Sequence, residues 1–188
     1  EKDSYSFLSS HYHEGEFSSY IPIMNGCNNF CSYCIVPYVR GREVSRDVES
    51  IVEEVKFLDS KGVKEITLLG QNVNSYHSEY QGKEVGFPEL LEIITPYMKN
   101  ILWVRFESPH PKDFSSRLIS VIRDNPKVAK HIHLPMQSGS SRILKLMNRH
   151  TTREAFIELL DRMRSEIKDL TFSTDVIVGF PSETEEEY

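Results

Sequence analysis

Five short apolar runs, separated by segments of helical periodicity, constrain this chain more tightly than any other feature. The runs fall at 20–25, 65–69, 103–107, 131–136 and 170–178. After the first, Val48, Ile51, Val52, Val55 and Leu58 line one face of a helix that Gly62 closes. A Gly-, Asn- and Ser-rich stretch follows the second run and reads as a loop. Pro88 then opens a helix bearing Leu90, Leu91 and Ile94. Asp113 reads as the cap of a helix bearing Leu118, Ile119 and Ile122, stopped by Asn125-Pro126. A short helix with Ile143, Leu144 and Met147 comes after the fourth run. Thr151 and Glu154 form a capping-box pattern before a longer helix with Phe156, Leu159, Leu160, Met163 and Ile167. Ser182 and Glu185 repeat that pattern, so another helix is expected to begin there.

Strands alternating with helices imply an α/β fold with a parallel sheet and right-handed crossovers. Periodicity alone does not separate a barrel from an open sheet. In both, active groups gather where strands end and helix-entering loops begin. Those ends read Asn25-Gly26-Cys27, Gly70-Gln71-Asn72, Ser108-Pro109-His110, Gln137-Ser138-Gly139 and Gly179-Phe180-Pro181, and they hold nearly all the unusual chemistry of the chain.

The sequence has 3 cysteines, and Cys27, Cys31 and Cys34 share one CxxxCxxC segment. An odd, clustered set argues against a disulfide framework and for metal chemistry in a reducing compartment. Thiolates suit iron–sulfur clusters, zinc or cuprous copper. A structural zinc centre takes four ligands, so a fourth has to arrive from elsewhere; His77, His110, His131 and His133 are the histidines in question. A four-iron cluster held by three cysteines instead leaves one iron open to a substrate or cofactor.

A net charge of −6, from 22 basic and 28 acidic residues, makes the chain as a whole a poor electrostatic partner for nucleic acid. Basic residues gather locally, at Arg40, Arg42 and Arg46 and again at Arg142, Lys145, Arg149 and His150, where solvated surface is the plain alternative. No apolar run approaches the roughly 18 residues of a membrane span. Glu1-Lys2-Asp3-Ser4 opens no secretory segment, so the chain reads as cytoplasmic.

A CxxxCx-aromatic-C segment at the end of a first strand resembles the signature of the radical S-adenosylmethionine superfamily. Further stretches extend the likeness: 35–41 with Ser45-Arg46, 68–76, 108–111, 133–140, 147–149 and 175–181. Together they resemble the methylthiotransferase family over about residues 20–188. The stretch 68–76 is more similar to the tRNA-modifying branch than to the branch that modifies a ribosomal protein.

The resemblance implies a partial (β/α) TIM-like barrel with about five parallel strands present. It implies that Cys27, Cys31 and Cys34 hold a [4Fe–4S] cluster whose open iron chelates the amino and carboxylate groups of S-adenosylmethionine. One-electron reduction then cleaves the sulfonium to a 5′-deoxyadenosyl radical. By the same likeness Tyr33 lies near the adenine, and Gly70 and Gln71 near the methionine amino end. Gln137, Ser138 and Arg149 lie near the ribose or carboxylate, and Asp175 and Gly179 shape the adenine side. Ser182 departs from the family, which commonly has glycine there.

The implied reaction places a methylthio group on carbon 2 of N6-isopentenyladenosine beside the tRNA anticodon. A second S-adenosylmethionine supplies the methyl, and a second [4Fe–4S] cluster, in an N-terminal domain, supplies the sulfur. Family members also have a C-terminal RNA-binding domain. Residues 1–19 accordingly read as a linker from the N-terminal cluster domain, and 20–188 as a radical SAM domain truncated at its C-terminal end. This piece alone is expected to leave RNA unmodified. The implied partners are tRNA and a small electron-donor protein such as flavodoxin, with no membrane partner and a monomeric enzyme. The alternatives are a methylthiotransferase acting on threonylcarbamoyladenosine tRNA or on a ribosomal-protein aspartate, and, in another class, a non-catalytic zinc or iron–sulfur binding module.

Overall fold

A computed structural model describes residues 7–9 and 12–188. Residues 1–6, 10 and 11 of the expected linker lie outside the described residues. In chain order the elements are β1 (Ser18–Pro22), β2 (Met24–Asn25), α1 (Val36–Val39), β3 (Val44–Ser45), α2 (Val48–Ser60), β4 (Glu65–Leu69), β5 (His77–Tyr80), β6 (Lys83–Gly86) and α3 (Phe87–Ile94). There follow β7 (Trp103–Phe106), α4 (Ser116–Asp124), β8 (His131–His133), α5 (Ser141–Leu146), α6 (Arg153–Glu166) and β9 (Thr171–Ser173).

β1, β4 and β7 form a parallel sheet in that order, with Ile21 opposite Leu68 and Leu68 opposite Phe106. A parallel bridge from Val104 to Val128 brings the approach to β8 alongside, and β8 pairs in parallel with β9 through Ile132 and Phe172. All five expected strands therefore run side by side in one direction. Alternation sorts their side chains. Ile21, Ile66, Leu68, Val104 and Ile132 are fully buried with α2, α3 and α4, through Val55, Leu58, Leu91, Ile94 and Ile119. On the other face Tyr20 is 60% and Trp103 43% exposed. A parallel sheet covered by helices on one side only is part of a barrel wall, not a doubly wound sheet.

Local chemistry explains where the elements depart from the sequence pattern. The first run splits after Pro22 because the chain changes partner there: Ile23 N still donates to Leu69 O at 2.9 Å, but its carbonyl accepts from Arg46 N at 2.8 Å and Met24–Asn25 pair with β3. Ser115, not Asp113, caps α4, its hydroxyl accepting from Leu118 N at 3.1 Å, while Asp113 ends a single 3-10 turn. Thr152 rather than Thr151 caps α6, accepting from Ala155 N at 3.2 Å. The supposed loop after β4 contains the β5–β6 hairpin, turned by Gln81 and Gly82 at φ 52° and 74°. β8 stops before Pro135, and β9 is correspondingly short, with one further bridge between Gln137 and Val176. No helix begins at Ser182: its φ of 70° is left-handed, and 181–182 and 185–187 form turns. The basic cluster also divides. Arg46 is 3% exposed and ion-paired with buried Glu54, whereas Arg40 and Arg42 are exposed.

Candidate cluster and cofactor site

The cysteine segment begins immediately after β2, and one glycine shapes its entry. Gly26 has φ 77°, and a side chain there would overlap the Arg42 carbonyl, so only glycine fits. Cys27 N donates to Gly41 O at 3.2 Å and Cys34 N to Cys31 O at 2.9 Å. Glu43 takes both the backbone and side-chain amides of Asn28 at 3.2 and 3.3 Å. The far side of the segment is clamped by the end of α5. Ser32 N donates to Met147 O at 2.9 Å and its hydroxyl to Leu146 O at 3.0 Å. The Asn148 amide donates to the carbonyls of Asn29 and Phe30 at 3.3 and 3.0 Å.

Cys27 and Cys31 are buried and Cys34 is half-buried, all as free thiols. Burial, chiefly, pushes the Cys27 thiol up, and negative charge on Glu43, Cys31 and Cys34 adds to it. A bound cation beside three such thiols opposes that shift, because metal binding requires and stabilises thiolates. Among the described residues, however, no three His, Cys, Asp or Glu side chains stand in a metal-holding geometry. Of the histidines considered as a fourth zinc ligand, His77 and His131 are exposed and engaged elsewhere, His77 with Glu84 and His131 with Thr171 and Ser173. The donor set, three soft thiols on one anchored segment, fits an iron–sulfur cluster.

The residues expected beside the thiols divide into groups. Tyr33 and Arg149 stand with them. The Arg149 Nη1 lies 3.9 Å from Cys31 Sγ, and its Nη2 donates to Pro135 O at 2.8 Å. Burial above all, with the nearby Cys31 and Cys34 thiolates, raises the Tyr33 hydroxyl pKa, while the Arg149 charge opposes the rise. Tyr33 and Gly179 also line a cleft of about 650 Å³ with Ser32, Leu146, Ile177 and Phe180, within the roughly 300–1,000 Å³ of small-molecule sites.

The other positions are further along the strand ends. Gln137, at φ 74°, accepts from Ile177 N at 2.8 Å and donates its own N–H to Asp175 O at 2.9 Å. The Asp175 carboxylate itself is exposed and pairs with His133 Nε2 at 3.2 Å. Ser138 is buried and accepts from Ser140 N at 3.1 Å, a loop-holding contact. The side of Gly70 that a Cβ would occupy is filled by Met24, so there its missing side chain admits the core and not a ligand. Gln71 keeps a buried side-chain oxygen with no partner among the described residues.

One residue was missed. His110, considered only as a zinc ligand, is 3% exposed after β7 and leaves its Nε2 unpartnered among the described residues. Burial, reinforced by the Arg149 charge, pushes its pKa down to about 3. The strand-end position of Ser108-Pro109-His110 was the available signal.

A family model for the radical SAM superfamily matches residues 21–188. The chain belongs to that superfamily. Its radical SAM fold is also seen in a solved structure with 18% sequence identity and a TM-score of 0.68, covering 90% of this chain and 32% of that one. That protein is the radical S-adenosylmethionine methyltransferase TsrM from Kitasatospora setae, with cobalamin and a [4Fe-4S] cluster bound. Among curated relatives, a tRNA-2-methylthio-N(6)-dimethylallyladenosine synthase of Treponema pallidum is 50% identical, over 98% of this chain and 41% of its own length. One of the same name from Bacteroides fragilis is 57% identical, over 91% of this chain and 37% of its own length. The radical SAM chain thus spans about two fifths of the curated relatives it matches. Among its described residues no helix is long and apolar enough to cross a membrane.

Proposed function

We propose that this chain is the radical-generating part of a methylthiotransferase that modifies carbon 2 of N6-isopentenyladenosine beside the tRNA anticodon. The observation that carries the reading is 50–57% identity, over 91–98% of the chain, to synthases named for that product. Residues 20–188 serve as the radical SAM domain and 1–19 as its linker. Cys27, Cys31 and Cys34 hold a [4Fe–4S] cluster. When bound, the cluster supplies the electron that cleaves S-adenosylmethionine.

The chain's own residues bind, orient and shield. Arg149 places a permanent positive charge 3.9 Å from the Cys31 sulfur. Tyr33 forms one wall of the 650 Å³ cleft, where an adenine ring can lie. Gln71 presents a buried acceptor suited to the cofactor's amino group. Gln137, Ser138 and Asp175 fix the loops after β8 and β9, and Gly179 lines the cleft. Gly70 fixes the loop after β4 by its packing on Met24. A second [4Fe–4S] cluster elsewhere in the protein supplies sulfur, a small donor protein such as flavodoxin supplies electrons, and the enzyme works as a cytoplasmic monomer.

The test is an anaerobic assay of the full protein with tRNA bearing N6-isopentenyladenosine, with threonylcarbamoyladenosine tRNA and the ribosomal-protein substrate in parallel. Formation of the 2-methylthio nucleoside on the first alone is the expected result. Product on either of the others alone contradicts the substrate assignment.

A further inference from the structure

Among the described residues, four buried side-chain atoms have no hydrogen-bond partner: Gln71 Oε1, Asn72 Oδ1, His110 Nε2 and Arg149 Nε. Native folds rarely leave several such groups unpaired without a reason, and a role in holding a ligand is one such reason. These four are not scattered. Asn72 Nδ2 donates to Asp113 Oδ2 at 2.9 Å, and the Asn74 side chain brackets His110 with two 2.9 Å bonds to its backbone. The Arg149 charge acts on the His110 ring and its Nη1 approaches Cys31. Hydrogen bonds therefore join the β4 loop to the β7 loop, and Arg149, whose charge reaches the His110 ring, lies beside Cys31.

His110 is the most constrained of the four. Its Nδ1 accepts from Lys112 N at 3.2 Å. With Nδ1 accepting, the hydrogen of the neutral ring sits on Nε2, making that buried, unpartnered atom a donor. The lowered pKa agrees with a neutral ring. Arg149 Nε is a second buried, unpartnered N–H.

We propose that His110 is a positioning residue of the cysteine site, its Nε2–H donating to an anionic acceptor of the group held there. This rests on the cluster reading above. Two acceptors share the required chemistry: a carboxylate oxygen of S-adenosylmethionine and a sulfur of the cluster. Donation to the carboxylate strengthens cofactor binding. Donation to sulfur raises the cluster's reduction potential.

The experiment uses the full protein, reconstituted anaerobically, as wild type, His110→Phe and His110→Gln. Phenylalanine keeps a ring without the donor, and glutamine restores an N–H. Iron and sulfide content is measured first, then S-adenosylmethionine affinity by equilibrium titration. The potential and electron paramagnetic resonance spectrum of the reduced cluster are recorded without cofactor.

With a carboxylate acceptor, His110→Phe weakens cofactor binding about ten-fold or more at unchanged potential. With a sulfur acceptor, it lowers the potential and shifts the spectrum. In either case His110→Gln recovers most of the change. Loss of iron from His110→Phe that glutamine restores also supports a donor at the site. Unchanged affinity, potential and spectrum in His110→Phe overturn the proposal, as does a defect that glutamine leaves unrepaired. A wild type that takes up no iron–sulfur cluster is a different result: it refutes the cluster reading itself.

Discussion

The guanidinium of Arg149 stands 3.9 Å from the sulfur of Cys31, although 118 residues of sequence separate them. Arg149 is held there by Pro135 O and by the tight end of α5, whose neighbouring Asn148 grips the backbone of the cysteine segment. One short segment after α5 thus carries both the clamp and the charge.

Replacing that charge separates its two contacts. Arg149→Lys keeps a cation, but one ammonium does not serve the Pro135 carbonyl and the Cys31 sulfur in the same fork-like geometry. The expected outcome is a stability loss of about 1–3 kcal/mol by urea denaturation. Iron retention after anaerobic reconstitution should also fall below wild type. Wild-type values for both show that the contact contributes nothing.

Much of this site was legible because its chemistry sits at strand ends. The cysteines followed from spacing and Tyr33 and Arg149 from resemblance, and the fold brings Arg149 beside Cys31 and Tyr33 within reach of both charges. The caps were misplaced by two residues at Asp113 and one at Thr151 because several Ser, Thr and Asp side chains compete at those turns, and only tertiary packing selects among them. The β5–β6 hairpin escaped because Gln81-Gly82 lacks the Asn-Gly or Asp-Gly signal. His110 escaped for another reason. Its importance lies in having no partner, which only a three-dimensional account of hydrogen bonds reveals.

Gly26→Ala tests the entry to the cysteine segment. The added methyl meets the Arg42 carbonyl at a left-handed backbone, so the segment must move. Iron bound per chain after reconstitution should drop by more than half. Gly41→Ala provides the comparison: its φ is also positive, at 75°, but the space beside it is open. It should therefore retain more iron than Gly26→Ala.

The Arg46–Glu54 pair is buried at the end of β1, where Arg46 also donates to Pro22 O, and each side chain is 3% exposed. Tyr76 donates its hydroxyl to Arg46 O at 2.6 Å, locking the local backbone. Glu54→Ala leaves a buried guanidinium uncompensated and should cost about 3–5 kcal/mol. The double replacement Arg46→Met with Glu54→Leu should cost distinctly less. Urea midpoints of the two proteins check the ordering.

Acid should weaken the fold through His110. Its folded pKa, about 3, lies below the ordinary 6.5, so between these values the unfolded chain binds the extra proton. Its contribution is fully present above about pH 6.5 and is lost as pH falls toward 3. At pH 5 the loss amounts to about 2 kcal/mol. Urea midpoints at pH 7.5 and 5 should therefore differ, and the difference should shrink in His110→Phe.

The central claim is that Cys27, Cys31 and Cys34 support reductive cleavage of S-adenosylmethionine. The direct measurement is 5′-deoxyadenosine formed by the anaerobically reconstituted protein after addition of dithionite and S-adenosylmethionine, with Cys31→Ala alongside. Product from wild type and none above background from Cys31→Ala is the predicted result. No product from a wild type carrying one zinc per chain, or an equal rate from Cys31→Ala, contradicts it.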